Sequence, residues 1–422
     1  MRAKFSQELL SSPDGAEMTS IMRACVHCGF CNATCPTYQL QGDELDGPRG
    51  RIYLIKSMLE DSAIGESTQT HLDRCLTCRA CETTCPSGVR YSRLLELARP
   101  LVEAKVGRGA WQKLQRRLIR WIIPHPQRFA ILMWIARMFQ AFYPRVLREL
   151  VPSAPVAVSE PQTEPHSRQM VLLDGCVQRS AAPSINAAAR DIFNALGIQL
   201  LSYPQAGCCG AVSYHLGEVA EAQAYARINI DAWAPALEDN IEAVVTTATG
   251  CAMMLKEYGD LLADDPLYAE RASRISEIIV DPCEVIDPDA LGDVYQAKSG
   301  QRIAFHAPCT MQHGMGVADK AEDCLRAVGF ELTAVPDGHL CCGSAGSYSL
   351  LQPELANQLL DKKVAALEIG SPETIATANI GCLMHLQRRA GPAVQHWLEL
   401  VRPHRVGPGR DSQLPTTKCH RR

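Results

Sequence analysis

Eight cysteines near the N-terminus repeat one pattern twice. Cys25, Cys28, Cys31 and Cys35, followed by Pro36, are spaced C-x2-C-x2-C-x3-C-P, and Cys75, Cys78, Cys81 and Cys85, followed by Pro86, repeat that spacing letter for letter. This is the run that binds [4Fe–4S] clusters in bacterial two-cluster proteins, where the fourth cysteine ligates the other cluster of the pair. Three thiolates in one tight loop can cap one face of an iron–sulfur cube. The fourth has left the loop and reaches a neighbouring cluster more easily. The expectation is Cys25, Cys28, Cys31 and Cys85 on one cluster, and Cys75, Cys78, Cys81 and Cys35 on the other. Zinc competes with this reading, since cysteines two residues apart also make zinc sites. Zinc ribbons, however, use two separated pairs rather than a triplet with a proline-flanked fourth thiol.

From Met170 onward a second repeat runs with a period of about 133 residues. Its first copy offers Cys176, Cys208, Cys209 and Cys251, and its second Cys309, Cys341, Cys342 and Cys382. The adjacent pair is followed by glycine in both copies, which lets the chain turn sharply against a bulky cofactor where a side chain would clash. Each set of four thiols could hold a further iron–sulfur cluster or a zinc ion, or act as a redox-active thiol group. Adjacent cysteines rarely serve one compact zinc tetrahedron, because both side chains must bend to the same side. His215 lies near the first set, and His306, His313, His339 and His385 near the second. Thiolate sites do not need imidazole, so these are expected around rather than within the ligand sets. His385, three residues after Cys382, is the best candidate for a fifth ligand or proton donor; Met254 stands in its place in the first copy. Cys283, Cys324 and Cys419 belong to no group and read as a loop, a helix-face core and a tail residue. No Gly-rich dinucleotide fingerprint, phosphate-binding loop or nucleophile elbow is present. The chain has parts to carry electrons and lacks obvious parts to bind FAD or NAD, or to take a substrate proton.

These thiols must be positioned by elements of two kinds. Within residues 1–100, the 39 residues between Cys35 and Cys75 include Arg51–Glu60, whose apolar stripe reads as a helix. Two clusters on short strands would need a tighter separation, so the expectation is an all-helical two-cluster ferredoxin domain, with Tyr91–Val106 as another helix beneath the second motif. Residues 101–150 carry ten Lys or Arg against only Glu103 and Glu149, interleaved with Trp111, Trp121, Phe129, Trp134, Phe139 and Phe142. Pro124, Pro126 and Pro144 break this stretch into short helices. Such a basic, aromatic, amphipathic segment suits an anionic membrane surface, a partner subunit or its own domain. With the proline-rich linker 151–168 it forms the segment 101–168. Beyond it, strand-like Met170–Asp174, Ala243–Thr247, Ile303–Phe305 and Thr374–Thr377 alternate with helical stretches such as Ser184–Leu196. Two tandem α/β cysteine-rich modules with largely parallel sheets are implied, 169–295 and 296–400. Their cysteines follow the carboxyl ends of strands, where open α/β sheets place ligands. A flexible tail, 401–422, completes an α + α/β architecture.

Composition sets outer bounds. The 422 residues, 46% apolar and 21% charged, suit a globular chain of several domains, and a net charge of −4 argues against nucleic acid as the main partner. The N-terminus has no apolar h-region and no run of about 18 apolar residues occurs. A cytoplasmic, reduced setting is expected, in which the 19 cysteines mean metal or redox chemistry rather than disulfides.

Taken together, the two cluster motifs and the two Cys-Cys-Gly modules resemble the iron–sulfur subunits of flavin-linked respiratory dehydrogenases. Gly47-Pro-Arg-Gly-Arg-Ile-Tyr53, Cys75-Leu-Thr-Cys-Arg-Ala-Cys-Glu82, and Asn379-Ile-Gly-Cys-Leu-Met-His-Leu-Gln387 followed by His396-Trp397 are most similar to the glycolate oxidase iron–sulfur subunits. Related families serve anaerobic glycerol-3-phosphate dehydrogenase and heterodisulfide reductase. The resemblance implies an electron-transfer subunit with two [4Fe–4S] clusters on the eight N-terminal cysteines, and FAD on two partner subunits only. Those partners would oxidise glycolate, and often D-lactate, to the 2-oxo acid. This chain would pass the electrons to quinone or another acceptor, in a complex peripheral on the cytoplasmic face of the inner membrane. One departure stands out. Heterodisulfide-reductase modules end in Cys-x-x-Cys and so have five thiols, whereas here the ends read Cys251-Ala-Met-Met254 and Cys382-Leu-Met-His385. The missing thiols argue against disulfide reduction by this chain itself.

Overall fold

The computed structural model describes residues 5, 7–60, 64–143, 165–239, 241–298 and 300–404. Most of the expected linker, the tail beyond 404 and Cys419 lie outside the described residues.

The N-terminal region is helical, as its spacing implies. Ser12 caps the helix Pro13–Ala24 by accepting from the Gly15 N–H, and a proline opens the first turn. The helix expected from Arg51 runs Pro48–Leu59, three residues earlier at its start, because Pro48 also occupies a first-turn position where its missing N–H costs nothing. Glu66–Asp73 and Tyr91–Val106 complete the bundle. Met18, Ile55, Met58, Leu72, Leu94 and Leu95 close its interior. The two motif loops sit at one end of this core.

Each half of the remainder is a four-stranded parallel sheet. β1 (Arg168–Leu173), β2 (Ile198–Leu201), β3 (Val244–Thr246) and β4 (Ile279–Val280) are ordered β2-β1-β3-β4. β5 (Arg302–His306), β6 (Glu331–Leu332), β7 (Thr374–Thr377) and β8 (Ala393–His396) repeat the order as β6-β5-β7-β8. The repeat in the sequence is therefore a repeat of topology. Beyond the strand-like stretches marked in the sequence, each sheet gains an edge strand, β4 or β8. β4 is only two residues long and β8 alternates exposed and buried positions, so neither forms the apolar run that marked the central strands. Cys283 also departs from a loop assignment: it lies in the short helix Pro282–Val285, buried in the core. Cys324 is a buried helix residue, as expected.

The two sheets share one core. Met170 and Leu172 of β1, Ile303 and Phe305 of β5, Phe193 and Trp397 belong to a single apolar cluster. The modules also meet near their cysteines, where Thr310 Oγ1 donates to Thr249 Oγ1 at 2.8 Å and His396 Nε2 lies 3.0 Å from Thr247 O. No described helix is long and apolar enough to cross a membrane.

Candidate metal centres

The structure gathers the eight N-terminal cysteines about two cavities. Cys25, Cys28, Cys31 and Cys85 line the first, and Cys35, Cys75, Cys78 and Cys81 the second; Pro48, Cys81 and Tyr91 line both. Each triplet is wrapped by left-handed backbone at matching positions, His27 and Gly29 in the first loop and Thr77 and Arg79 in the second. Such turns aim backbone N–H groups inward, and Thr77 N–H donates to Cys75 Sγ at 3.4 Å. The strain of three non-glycine residues in this region is held where it shapes a site. The fourth cysteine of each run, Cys35 or Cys85, immediately precedes a proline and crosses to the other cavity.

The chemistry of this donor set fits iron–sulfur clusters. Burial pushes the Cys31 thiol up to about 11, and raises Cys78 and Cys81 well above the usual range. Thiols in such surroundings stay protonated unless a metal replaces the proton. Among the described residues, two groups of side chains bring three ligand atoms within 4.8 Å of one another, and neither includes an N-terminal cysteine. One Zn2+, with Zn–S of about 2.3 Å, draws its thiolates closer than that. The irons of a cube stand apart and hold theirs farther from one another.

A buried ionic network backs the second cavity. Asp46, with no exposed surface, accepts from Arg74 at 2.8 Å and lies 2.9 Å from His71 Nδ1 and 3.5 Å from Arg51 Nη2. Arg51 also donates to His71 O at 2.7 Å and to Thr37 Oγ1 at 3.1 Å, and reaches Cys35 Sγ at 4.0 Å. Burial alone would lower the pKa of Arg51, but Cys75, Tyr91, Cys35 and Asp46 together raise it. A permanent cation thus faces the thiols of the second cavity, and nothing in the spacing of the cysteines announced it. The only sequence sign was its place in the Gly-Pro-Arg-Gly-Arg stretch.

In the modules the four thiols of each set lie side by side. Cys176, Cys208, Cys209 and Cys251 form a chain of sulfur contacts, as do Cys309, Cys341, Cys342 and Cys382. The contact with Cys176, added to burial, raises Cys208, whereas Cys209 accepts from both Cys208 and Cys251 and is lowered. The glycine after each pair has φ of +90°, but what crowds it is a helix: a Cβ on Gly343 would stand 2.6 Å from Ala356 O. This corrects the expectation that a cofactor occupies that side. The second set also abuts the second N-terminal cavity, since Leu76, Cys78 and Ala80 pack in one apolar cluster with Cys341, Tyr348 and Leu359.

The histidines divide sharply. His385 Nε2 faces Ala356 O at 3.4 Å and its Nδ1 faces Arg388 at 3.3 Å, so neither nitrogen is left for a ligand role. His313 bridges Thr83 Oγ1 and His339 O, both at 2.9 Å, and His215 pairs with Glu96 at 3.2 Å. His306 is different, because one of its ring nitrogens lies within 4.8 Å of the sulfurs of Cys342 and Cys382.

The basic aromatic stretch folds as helices Ala110–Ile122 and Pro126–Met138. Surface helices ordinarily turn their apolar stripe inward. Here the first helix has no buried residue, and Trp111, Leu114, Leu118 and Trp121 point outward. Two of its arginines face the body instead: Arg116 pairs with Asp73 at 3.0 Å and Arg120 with Glu218 at 2.8 Å and with Glu221. Trp134 and Phe142 extend the exposed apolar face, 61% and 82% exposed.

Comparison with known proteins agrees with this layout. A family described as "4Fe-4S dicluster domain" matches residues 21–89, and one described as "Cysteine-rich domain" matches 170–256 and 303–387. The glycolate oxidase iron–sulfur subunit of Escherichia coli strain K12 is 47% identical, covering 95% of this chain and 98% of its own. A probable glycolate oxidase iron–sulfur subunit of Bacillus subtilis strain 168 is 29% identical over 86% of this chain and 88% of its own. Lactate utilization protein A of Bacillus licheniformis is 30% identical over 51% of this chain and 89% of its own. The crystal structure of a hypothetical protein from Helicobacter pylori matches with a TM-score of 0.50 at 9% identity, covering 93% of this chain and 72% of that one, a likeness of fold alone.

Proposed function

The chain belongs to the family of glycolate oxidase iron–sulfur subunits, and from that premise we propose that it carries electrons from FAD-bearing partner subunits, which oxidise glycolate and D-lactate, to a membrane quinone or another acceptor. Two [4Fe–4S] clusters supply one-electron carriers, which split the two-electron reduction of a flavin into single steps. The observation that carries this reading is the pair of thiol-lined cavities joined by Pro48, Cys81 and Tyr91, which sets two carriers wall to wall. Cys25, Cys28, Cys31 and Cys85 hold one cluster, and Cys75, Cys78, Cys81 and Cys35 the other. The residues between them exclude water, and Arg51 stabilises negative charge on the second. The sets Cys176, Cys208, Cys209, Cys251 and Cys309, Cys341, Cys342, Cys382 are further metal sites. The chain divides as 1–100, 101–168, 169–295, 296–400 and 401–422. Its place is the cytoplasmic face of the inner membrane; the outward apolar face of the helices at 110–138 supports this.

The test is anaerobic purification with and without the co-expressed partners. Glycolate-dependent dye reduction is expected only from the complex, with about eight irons per chain in the N-terminal clusters. Dye reduction by this chain alone overturns the reading. Within the complex, Cys85→Ser is expected to alter the spin-resonance signal of the cluster on Cys25, Cys28 and Cys31, and Cys35→Ser that of the other. The reverse pattern overturns the crossed ligation.

A further inference from the structure

Resting on the reading of the second module as a metal site, we propose that it binds a single zinc ion through His306, Cys342 and Cys382, with Cys341, the neighbour of Cys342, drawn in as the fourth ligand and Cys309 left outside the set, separate from the two N-terminal clusters. An imidazole nitrogen of His306 and the two sulfurs all lie within 4.8 Å of one another, and all three side chains are buried. That spacing suits ligands of one ion rather than of a cube, whose ligands sit on different irons. His306 Nε2 is buried without a hydrogen-bond partner, a state that costs free energy unless something is bound there. The Cys341 and Cys342 thiols are in contact, so both side chains of the adjacent pair already bend to the same side.

The surroundings are those of a metal thiolate. Asn379 Nδ2 donates to Cys382 Sγ at 3.5 Å and Gly343 N–H to Cys341 Sγ at 3.4 Å. Zn2+ displaces three thiol protons to solvent, which leaves a site of charge −1. Lys363, buried close by and held by Asp337 O and Gly338 O at 3.1 Å each, supplies the offsetting cation. The first module lacks this arrangement, since the position corresponding to His306 in the repeat is Leu173.

The ion would staple the end of β5, the Cys-Cys-Gly turn and the helix Ile380–Leu386. Of these, the Cys-Cys-Gly turn, through Cys341, packs in one apolar cluster with Cys78 of the second N-terminal cavity. Zinc has no redox chemistry, so the electron path would not continue into this site.

The test uses the full chain, purified anaerobically in its complex without added metal, with zinc and iron counted by mass spectrometry and the zinc environment read by X-ray absorption. Wild type is expected to hold about one zinc per chain in a mixed nitrogen and sulfur shell. His306→Ala and Cys382→Ala should lose it while iron and the cluster spin-resonance signals persist, which also shows that the chain has folded. His306→Cys should keep the zinc in an all-sulfur shell, and Cys251→Ala should leave it unchanged. A wild type without zinc, iron in its place, or an unaltered zinc shell in His306→Ala overturns the proposal.

Discussion

Arg51 Nη1 stands 4.0 Å from Cys35 Sγ, with the arginine side chain only 1% exposed. A cation this close and this dry stabilises the reduced, more negative state of whatever the thiolate binds. Arg51→Leu is therefore expected to lower the potential of the cluster on Cys35, Cys75, Cys78 and Cys81. A shift on the order of 59 mV corresponds to a tenfold change for a one-electron couple. Arg51→Lys should restore most of it. The other cavity has Arg49 instead, so its cluster should hold its potential. A redox titration followed by spin resonance separates the two signals. The leucine variant also leaves Asp46 short of a partner, at about 3–5 kcal/mol for a broken buried pair.

His396 gives the modules a pH dependence. Its Nε2 lies 3.0 Å from Thr247 O across the module boundary and its Nδ1 accepts from the Leu398 N–H at 3.3 Å within its own module, so the neutral ring uses both nitrogens. Burial brings its pKa down to about 4, and a proton on Nδ1 would face an N–H. Between the unfolded value near 6.5 and about 4, the unfolded chain binds more protons than the folded one. The contribution of His396 is thus fully present above pH 6.5 and lost as pH falls, by about 1.4 kcal/mol per unit. Thermal unfolding at pH 7, 6 and 5 should show this decline, and His396→Asn, which keeps a capping oxygen, should flatten it.

Gly343 and Gly346 both have positive φ but differ in their neighbours. A Cβ on Gly343 meets Ala356 O at 2.6 Å, while nothing lies within 4 Å of one on Gly346. Gly346→Ala should cost about 1 kcal/mol, the left-handed penalty alone. Gly343→Ala should cost several times more, because helix backbone must move. Denaturant midpoints measure both. Loss of metal from Gly343→Ala at unchanged stability would instead point to a bound group on that side of the turn.

Much of this architecture was legible because cysteine spacing and apolar period are local signals. The crossed grouping of Cys35 and Cys85 follows the motif, and β1, β3, β5 and β7 follow buried apolar runs. β4 and β8 did not, because an edge strand of two residues or of alternating burial leaves no such run. The role of Arg51 was hidden for another reason. Nothing in one chain segment says that Asp46, His71 and Cys35 will converge on one guanidinium. His306 was likewise passed over for His385, since sequence distance to a cysteine is a poor guide to distance across strand ends.

The outward face of Ala110–Ile122 supports the last prediction. Trp111 and Trp121 are 67% and 55% exposed, while Arg116 and Arg120 are spent on ion pairs with the body, so the helix is anchored by its polar side. A tryptophan pair on such a face suits the headgroup region of a bilayer. Trp111→Asp with Trp121→Asp should abolish co-sedimentation of the complex with anionic vesicles and leave cluster signals and thermal stability intact, because neither ring is buried. Higher salt should weaken wild-type binding only in part, since Arg116 and Arg120 face away from the lipid and apolar insertion carries the attachment. If the double variant still sediments with vesicles but no longer co-purifies with its partners, the apolar face is a subunit interface, and the membrane contact lies elsewhere in the complex.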